Sequence, residues 1–369
     1  ESMSKYIIRR IIGLIPLLFG IILVSFFLMK LAPGGPQAQF NQNPRVTEEQ
    51  IDAWLKRWCL ERESSPATVL REFGGWLGIY NCNTESLLSE QGGLNILPPQ
   101  LGGGTNGILK GDLGLSIKAG RPVTDMIIER IPATLMLTTT ALVIWVTLAV
   151  IIGVIAAVKR YSLFDQAVTF FSYVFYSLPT FWLGLMFIFL FAVLLRWLPP
   201  QGIVTPREWP PFNTENFWAA FGAAPLEAIL DIGRHMIMPV TVLVLVSIAA
   251  DSRFVRASML ESLNQDYVRT AKAKGLPRRQ VYWKHAFRNA MLPVVTNVGL
   301  ELPFLFSGAI VTETIFSWQG MGLLFITGVN DRDYFILMGL ILITSTLVVF
   351  FNLVADIVYA VVDPRIRYD

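Results

Sequence analysis

The stretch ATLMLTTTALVIWVTLAVIIGVIAAV, residues 133–158, contains no charged side chain. A helix needs about 20 apolar residues to cross a hydrocarbon core roughly 30 Å thick, so this stretch predicts a membrane-spanning helix. Similar apolar blocks predict five more spans, at residues 7–31, 166–197, 235–255, 290–311 and 334–362. Only helices satisfy their own backbone in lipid with this pattern. The sequence therefore predicts an all-α polytopic membrane protein with six transmembrane helices.

The overall composition excludes a soluble globular protein. Hydrophobic residues make up 53% of the chain and charged residues 15%, and the mean hydropathy is +0.53. Soluble domains usually carry about 25% charged residues. The long apolar blocks make a lipid membrane the expected partner. The formal net charge is only +3, which argues against a nucleic-acid partner. The two histidines and two cysteines lack the spacing of a metal or haem site, and no metal site is predicted.

Basic residues near the ends of the spans predict the orientation of the chain, because cytoplasmic loops are enriched in Lys and Arg. The N-terminus, the connection after the second span, the connection after the fourth span and the C-terminus all carry them. These residues are Lys5, Arg9, Arg10, Lys159, Arg160, Arg253, Arg256, Arg269, Lys272, Lys274, Arg278, Arg279, Lys284, Arg288, Arg365 and Arg367. With six spans, these four segments lie on one side, so both termini are predicted to be cytoplasmic.

This orientation divides the chain into three parts. Residues 1–31 form the N-terminus and first helix, residues 32–132 a large extracytoplasmic insertion, and residues 133–369 the transmembrane core. Cys59 and Cys82 both lie in the insertion, where an oxidising compartment favours a disulfide. The alternative is a pair of reduced, partly buried thiols.

The connection after the fourth span, residues 256–289, is called the basic loop below. Its sequence predicts a helix, a stop and a second helix. Leu260, Leu263, Tyr267 and Ala271 recur at three- and four-residue steps, which predicts one apolar helical face. Gly275 stands where a helix end favours a left-handed residue, and Pro277 suits the first turn of the next helix. On these features alone, the loop suits insertion into a partner's groove or attachment to an anionic membrane surface.

Several motifs resemble the dipeptide, oligopeptide and nickel permease family of ABC importers, in its first-permease branch. YVRTAKAKG at 267–275 with HAFRNAMLP at 285–293 resembles the loop by which such permeases contact their ATPases. Other matching segments are KYIIRR at 5–10, APGGP at 32–36, GDLGLS at 111–116, TETIFSWQGMG at 312–322, DRDY at 331–334 and DPRIR at 363–367. Arg269 replaces the glutamate of the general loop pattern, as is usual in the peptide branch, whereas residues 37–108 are untypical of the family.

The resemblance implies a type I ABC importer permease fold and ATP-driven import of short peptides or related small solutes. It implies a second permease subunit, two cytoplasmic ATPases and an extracytoplasmic solute-binding protein as partners, in the plasma (inner) membrane of a bacterium or archaeon. The residues of the basic loop that it assigns to ATPase coupling are Asp266, Tyr267, Arg269, Thr270, Ala271, Ala273, Gly275 and Leu276.

The chain itself is not predicted to be an enzyme, because it contains no Gly-x-x-x-x-Gly-Lys-Ser/Thr phosphate loop. We expect no cofactor on this chain, with ATP and Mg bound by the partner ATPases. Two alternatives stay open: import of nickel chelates or oligosaccharides by the same machinery, and an ATP-independent secondary transporter or channel. An inverted repeat would favour a secondary transporter, and no convincing one is found in the sequence.

Charged residues inside predicted spans need an explanation, because burying one in lipid is costly. Glu301 lies in the fifth span with Asn297 one turn before it and Pro303 just after. These three residues are a candidate solute pathway in which Glu301 attracts a peptide amino group; the alternative is a satisfied interhelical hydrogen bond. For Asp251, Arg253 and Arg256, near the inner end of the fourth span, a structural ion pair or an interface anchor is expected rather than a solute site.

Overall fold

The computed structural model describes residues 3–31, 47–48, 66–77, 108, 111–116, 118–302, 305 and 309–362. The chain divides into two compact units, described separately here. The main unit comprises residues 131–323 and 347–369, and the second unit comprises residues 2–130 and 324–346. Among the described residues, β structure is limited to two isolated bridges, Leu115 with Pro122 and Pro206 with Trp209. The prediction of an all-α protein is therefore confirmed.

The described residues form the following α-helices in chain order. They are α1 Met3–Leu31, α2 Pro66–Leu77, α3 Val123–Val158, α4 Leu163–Ser177, α5 Thr180–Phe187, α6 Glu215–Ala223, α7 Pro225–Leu263, α8 Asp266–Ala273, α9 Arg278–Gln280, α10 Arg288–Glu301, α11 Ile310–Ile315, α12 Met321–Asp331 and α13 Tyr334–Val362. Two π-helical segments, Ile188–Leu194 and Val281–Phe287, extend α5 and join α9 to α10.

Three helices are long and apolar enough to cross a membrane, namely α3, α7 and the first 21 residues of α13. A fourth span results if α4 and the helix from Thr180 to Leu194 count as one. The apolar stretch within α1, Ile12–Phe27, is shorter than these candidate spans. By length and composition, the described residues therefore supply up to four of the six predicted spans. The second predicted span also begins earlier, at Val123 instead of Ala133.

The predicted third span, residues 166–197, is not a single helix. Its two halves meet at an angle of 99°. Leu178 and Pro179 both have extended backbone, with ψ of 129° and 131°. Proline disfavours a helical conformation in the residue before it and donates no backbone hydrogen bond, so the helix stops at Ser177 and restarts at Thr180. By contrast, α7 and α10 continue through Pro239 and Pro293.

The predicted fifth span, residues 290–311, is also wrong as a continuous helix. The helix α10 ends at Glu301, and the N–H of Leu302 turns back to the carbonyl of Gly299 at 3.3 Å. Val311 belongs to the separate short helix α11. Pro303, which cannot donate to a helical ladder, follows two residues after Glu301 and lies outside the described residues.

In the main unit, a buried carboxylate organises the segment 312–322. Glu313 is fully buried, and its carboxylate accepts hydrogen bonds from Gly322 N (2.8 Å), Leu323 N (3.1 Å) and Thr134 Oγ1 (3.0 Å). The two N–H groups belong to the first turn of α12, where a helix end favours negative charge. Thr134 also accepts from Met321 N at 2.7 Å. Burial raises the pKa of the Glu313 carboxyl, and these donors oppose that effect.

Glycine is required where this segment packs most closely. A Cβ added to Gly322 would lie 2.7 Å from Ile310 Cα, closer than real Cβ atoms come to backbone. Trp318 is fully buried in the same region, and its indole N–H donates to the Ala133 carbonyl at 2.8 Å. The residues between Thr312 and Gly322 thus fold onto the start of the apolar run 133–158.

In the second unit, the segments 111–116 and 331–334 come together although they are far apart in sequence. Asp333 is fully buried and accepts a hydrogen bond from Ser116 Oγ at 2.6 Å. It also accepts from Ile336 N at 3.3 Å in the first turn of α13, and Lys118 pairs with Asp331. In the same unit α2 packs on α1, with the Phe73 ring 5.3 Å from that of Phe26. Cys59 and Cys82 lie outside the described residues.

We predict that Glu313→Gln destabilises the protein. Glutamine still offers one acceptor to the amides of α12, but the Thr134 hydroxyl loses its acceptor oxygen and the helix loses a negative charge at its N-terminus. A buried unsatisfied group costs about 1–3 kcal/mol, so the midpoint of thermal unfolding in detergent should fall. The matched control is Glu215→Gln, an exposed glutamate in the first turn of α6. Equal midpoints for the two variants would contradict the role of Glu313.

Candidate functional site

The basic loop forms a small helical structure on the end of α7. The chain leaves α7 at Leu263, turns through Asn264 and Gln265, and forms α8, Asp266–Ala273. It then turns sharply and returns through α9 and the π-helical segment Val281–Phe287 into α10. The predicted order of helix, stop and helix is therefore confirmed.

The stop after α8 depends on Gly275, whose φ of +74° is in the left-handed region that favours glycine. Gly275 N donates to the Lys272 carbonyl at 3.0 Å, and Leu276 N donates to the Ala271 carbonyl at 3.4 Å. These two bonds form a Schellman ending, which satisfies carbonyls at the helix C-terminus. Leu276 packs in the same apolar cluster as Ala271, as such an ending favours.

The apolar face of α8 packs against the chain's own helices. Val268 is fully buried and Ala271 is 5% exposed. They belong to a cluster, here called the seat, whose other buried members are Val154, Ala157, Val255, Met259, Val281, Ala286, Ala290 and Val294. The helices α3 and α7 approach each other closely beside the seat. A Cβ atom added to Gly153 of α3 would lie only 2.6 Å from the Ser252 carbonyl oxygen of α7, so this position requires glycine. Small residues permit such close helix packing in membranes.

Hydroxyl groups bind the returning segment to α7. Ser262 Oγ donates to the Ala286 carbonyl and Ser258 Oγ to the Ala290 carbonyl, both at 2.7 Å. Ser262 Oγ lies 2.6 Å from the Tyr267 hydroxyl. Because the single serine hydrogen is used for Ala286, the tyrosine hydroxyl must be the donor in that contact. Ser262 therefore joins α7, α8 and the π-helical segment at one atom.

The outward face of α8 is polar. The Asp266 side chain is 96% exposed and that of Arg269 is 74% exposed, and the two form an ion pair at 3.5 Å. Thr270, Ala273 and Lys274 are exposed beside them. The sequence left open whether the apolar face enters a partner's groove or lies on an anionic membrane surface, whereas in the structure Val268 and Ala271 of that face are buried in the seat. Tyr267, 38% exposed, is the large apolar side chain on this helix that remains accessible.

A second connection ties the start of α4 to the C-terminal half of α7. Arg256 forms a two-pronged ion pair with the buried Asp165, with Nε–Oδ1 and Nη2–Oδ2 distances of 2.6 and 2.8 Å. The backbone N–H of Tyr161 also donates to Asp165 at 2.9 Å. The expected structural ion pair therefore exists, but the acid is Asp165 and not Asp251. No sequence spacing indicated this pair, since 91 residues separate its members.

The other two charged residues near this end of α7 have different partners. Arg253 stacks over the rings of Tyr173 and Tyr176, at 4.9 and 5.3 Å from their centroids, and donates to the Ala249 carbonyl. Asp251 faces α10, where the Asn297 amide lies 3.5 Å from its carboxylate. Glu301 is half-buried at the last residue of α10.

Comparison with known proteins places the chain in a family. Residues 149–368 match the family model of the binding-protein-dependent transport system inner membrane component. The chain belongs to this family. The oligopeptide transport system permease protein of Bacillus subtilis (strain 168) is 36% identical over 367 residues, which cover 99% of this chain and 100% of the relative.

Two further relatives are similar over their full length. The di/tripeptide transport system permease protein of Pseudomonas aeruginosa (strain UCBPP-PA14) is 35% identical over 367 residues, covering 99% of both chains. The dipeptide transport system permease protein of Escherichia coli (strain K12) is 35% identical over 372 residues, with the same coverage. The resemblance inferred from the motifs is confirmed: this permease is the membrane component of an ABC importer, and its relatives are transport permeases.

We predict that Ser262→Ala loosens α8. The variant removes the acceptor of the Tyr267 hydroxyl and the donor to the Ala286 carbonyl, each worth about 1 kcal/mol. Amide hydrogen exchange in residues 266–273 of the detergent-purified permease should become faster. Thr270→Ala is the control, because the Thr270 hydroxyl bonds only within α8, to the Asp266 carbonyl. Equal exchange rates in the two variants would show that Ser262 does not hold α8.

Proposed function

We propose that this permease imports short peptides and that α8 is the helix through which ATPases drive it. The observation that carries the proposal is the full-length identity of 35–36% with permeases whose names specify oligopeptide, di/tripeptide and dipeptide transport. None of these names specifies nickel chelates or oligosaccharides, so peptides are preferred as the solute class.

The proposed assembly contains a second homologous permease, two cytoplasmic ABC ATPases and an extracytoplasmic solute-binding protein. ATP and Mg bind to the ATPases, and this chain holds no cofactor of its own. The chain spans the plasma membrane of a bacterium or archaeon with both termini in the cytoplasm. This orientation places the basic loop on the side where ATP is available.

The geometry of α8 supports its role as the coupling helix. Its outward residues Asp266, Arg269 and Thr270 offer charge and hydrogen-bonding groups to an ATPase surface. Ala271 packs in the seat, the Tyr267 hydroxyl bonds to Ser262 of α7, and Gly275 and Leu276 close the end of α8. Ala273 is small and exposed, which permits close approach of another protein.

The seat provides a way for movement of α8 to reach the membrane. A helix held only by its own ends would bend when pushed, whereas α8 is packed on α3, α7 and α10 through buried side chains. Protein interiors are close-packed and transmit strain. Displacement of α8 by closing ATPases is therefore expected to shift α7 and α10 as well, which opens the solute pathway to one side or the other.

The solute pathway is proposed to run past Asn297 and Glu301 of α10. Both residues are polar, half-buried and in a segment predicted to span the membrane. Pro303, the third residue assigned to this pathway, lies outside the described part of the chain.

Native mass spectrometry of the tagged permease, purified in mild detergent from its own host, tests the assembly. We expect a complex with a second permease and two ATPases, and any retained ligand mass should match a short peptide. A chain that is reproducibly free of ATPases across gentle detergents would contradict the importer assembly.

We predict that Arg269→Glu uncouples the permease from its ATPases. The substitution reverses the charge of a side chain that is 74% exposed on α8 and places a second negative charge beside Asp266. An ATPase surface that is complementary to the Arg269–Asp266 pair would then be repelled. Peptide uptake by the reconstituted complex should fall about tenfold or more, since like charges across an interface cost several kcal/mol. The control is Lys159→Glu, an equal charge reversal at an exposed residue of the short turn between α3 and α4. Normal uptake by the Arg269 variant would argue against α8 as the docking surface.

A further inference from the structure

Arg253 of α7 is a cation within a predicted span that has no anionic partner among the described residues. Its guanidinium lies over the rings of Tyr173 and Tyr176 on α4, with Cζ 4.9 and 5.3 Å from their centroids. Its Nε donates to the Ala249 carbonyl at 2.9 Å. In the described part of the chain, its two terminal nitrogens form no hydrogen bond, so four N–H donors stay available. A charge within a span usually marks a functional partner.

The direction of the Arg253 side chain argues against a membrane anchor. The predicted fourth span ends at residue 255, so an anchoring arginine would extend toward the basic loop and the nearer membrane surface. Arg253 instead turns back along α7, because its Nε bonds to the carbonyl of the residue four positions earlier. At 1.5 Å per residue, the guanidinium lies about 6 Å inside the end of the span. Lipid phosphates lie outside the hydrocarbon core and are therefore poorly placed to reach it.

Arg253 borders an exposed strip of α7 that lies between α4 and α10. Two residues turn a helix by about 200°, so Asp251 points away from Arg253 and meets Asn297 of α10, while Arg253 meets α4. Asp251 therefore does not neutralise the arginine. The exposed residues on the α7 surface between the two charges are Ala250, Phe254 and Ala257. Two of these three side chains are single methyl groups, so the strip leaves room for another molecule beside Arg253.

The two tyrosine rings hold the guanidinium without using the donors that an anion needs. Tyr173 and Tyr176 are one helical turn apart on α4, and they are 57% and 62% exposed, so a solute can reach the site. Rings stabilise the face of a guanidinium, whereas its N–H groups lie in its plane. The free edge of a guanidinium matches the two oxygens of a carboxylate. The geometry therefore presents a fixed, open receptor for one carboxylate group.

We propose that Arg253 binds the C-terminal carboxylate of a peptide in transit. The two terminal nitrogens of Arg253 donate to the two carboxylate oxygens, and the rest of the peptide lies along the exposed strip of α7. Tyr173 and Tyr176 are positioning residues, which hold the guanidinium on the side of the strip formed by α4. The inference rests on the proposed function and adds which group of the peptide the permease recognises.

A permanent acidic partner, such as a carboxylate of the second permease, agrees less well with the aromatic support. Arg256 shows the arrangement of a permanent pair in this chain, since it meets Asp165 through two short bonds and needs no ring. Aromatic rings stabilise a cation that is unpaired for part of the time. Such an intermittent partner is expected of a transported solute.

The test uses the complete transporter in proteoliposomes, with its binding protein loaded with trialanine. Peptide imported per ATP hydrolysed should fall about tenfold for Arg253→Gln, as expected for loss of a charged hydrogen bond. Arg253→Lys keeps the charge and should restore part of the loss. Tyr173→Leu should lower the ratio about threefold, whereas Tyr173→Phe keeps the ring and should not. The matched control is Arg234→Gln, which removes an exposed arginine near the other end of α7.

Trialanine amide, which lacks the carboxylate, separates recognition of that group from other roles of Arg253. With the binding protein loaded to equal occupancy, the unmodified transporter should import the amide at about one tenth of the trialanine ratio, because the charged hydrogen bond is lost. Arg253→Gln should import the two peptides alike. An unchanged trialanine ratio in Arg253→Gln, or an undiminished preference for trialanine over the amide in that variant, would overturn the proposal.

Native mass spectrometry of the same complexes identifies the competing anions. Loss of the second permease from Arg253→Gln would assign the arginine to a subunit contact. Loss of a bound phospholipid with an unchanged import ratio would assign it to lipid, and either result overturns the proposal. If the unmodified transporter hydrolyses ATP but imports neither peptide, the proposed peptide function is itself wrong.

Discussion

Ser262, near the end of α7, is the point at which three segments of the chain are joined. Its hydroxyl donates to the Ala286 carbonyl of the returning segment and accepts from the Tyr267 hydroxyl of α8. One turn earlier, the Ser258 hydroxyl donates in the same way to the Ala290 carbonyl. A buried side-chain hydroxyl that is satisfied as donor and as acceptor holds neighbouring segments in one register. We call this row of contacts between α7 and the segment that follows α8 the seam. The position of α8, and therefore any coupling through it, depends on the seam.

The seam continues from the basic loop toward the middle of the helices. Ser262 faces Ala286, Ser258 faces Ala290 and Asp251 faces Asn297, so α7 and α10 run antiparallel in one constant register. Near the loop the contacts are complete hydrogen bonds between hydroxyls and carbonyls. Farther along, at Asp251, the contact is long and a cleft opens. The same pair of helices thus combines a tightly bonded end that holds α8 and a more loosely packed region beside Asp251.

Buried and partly buried charges of the main unit are accommodated in three physically different ways. Arg256 and Asp165 neutralise each other through two short bonds, and Arg253 rests on aromatic rings. Glu313, outside the long helices, is buried but surrounded by amide and hydroxyl donors at the start of α12. Asp251 has none of these three arrangements among the described residues, and the Asn297 amide lies 3.5 Å from its carboxylate.

The sequence by itself determined the class of the protein and the helix–stop–helix order of the basic loop. Apolar length predicted membrane helices because lipid imposes a minimum on every span, and Gly275 predicted the end of α8 because few residues adopt its left-handed backbone. The motifs from 267 to 275 and from 312 to 322 identified the family.

Tertiary structure alone decided where the polar groups found their partners. Local periodicity cannot state that Arg256 meets Asp165, or that Ser116 meets Asp333 across 217 residues. Periodicity also could not decide what covers the apolar face of α8, since an apolar stripe has the same pattern whether it packs on its own chain or on another. The breaks at Pro179 and after Glu301 were likewise outside its reach, because a proline in an apolar run either bends a helix or ends it. Which outcome occurs depends on neighbouring helices that satisfy the freed backbone groups, and those neighbours are distant in sequence.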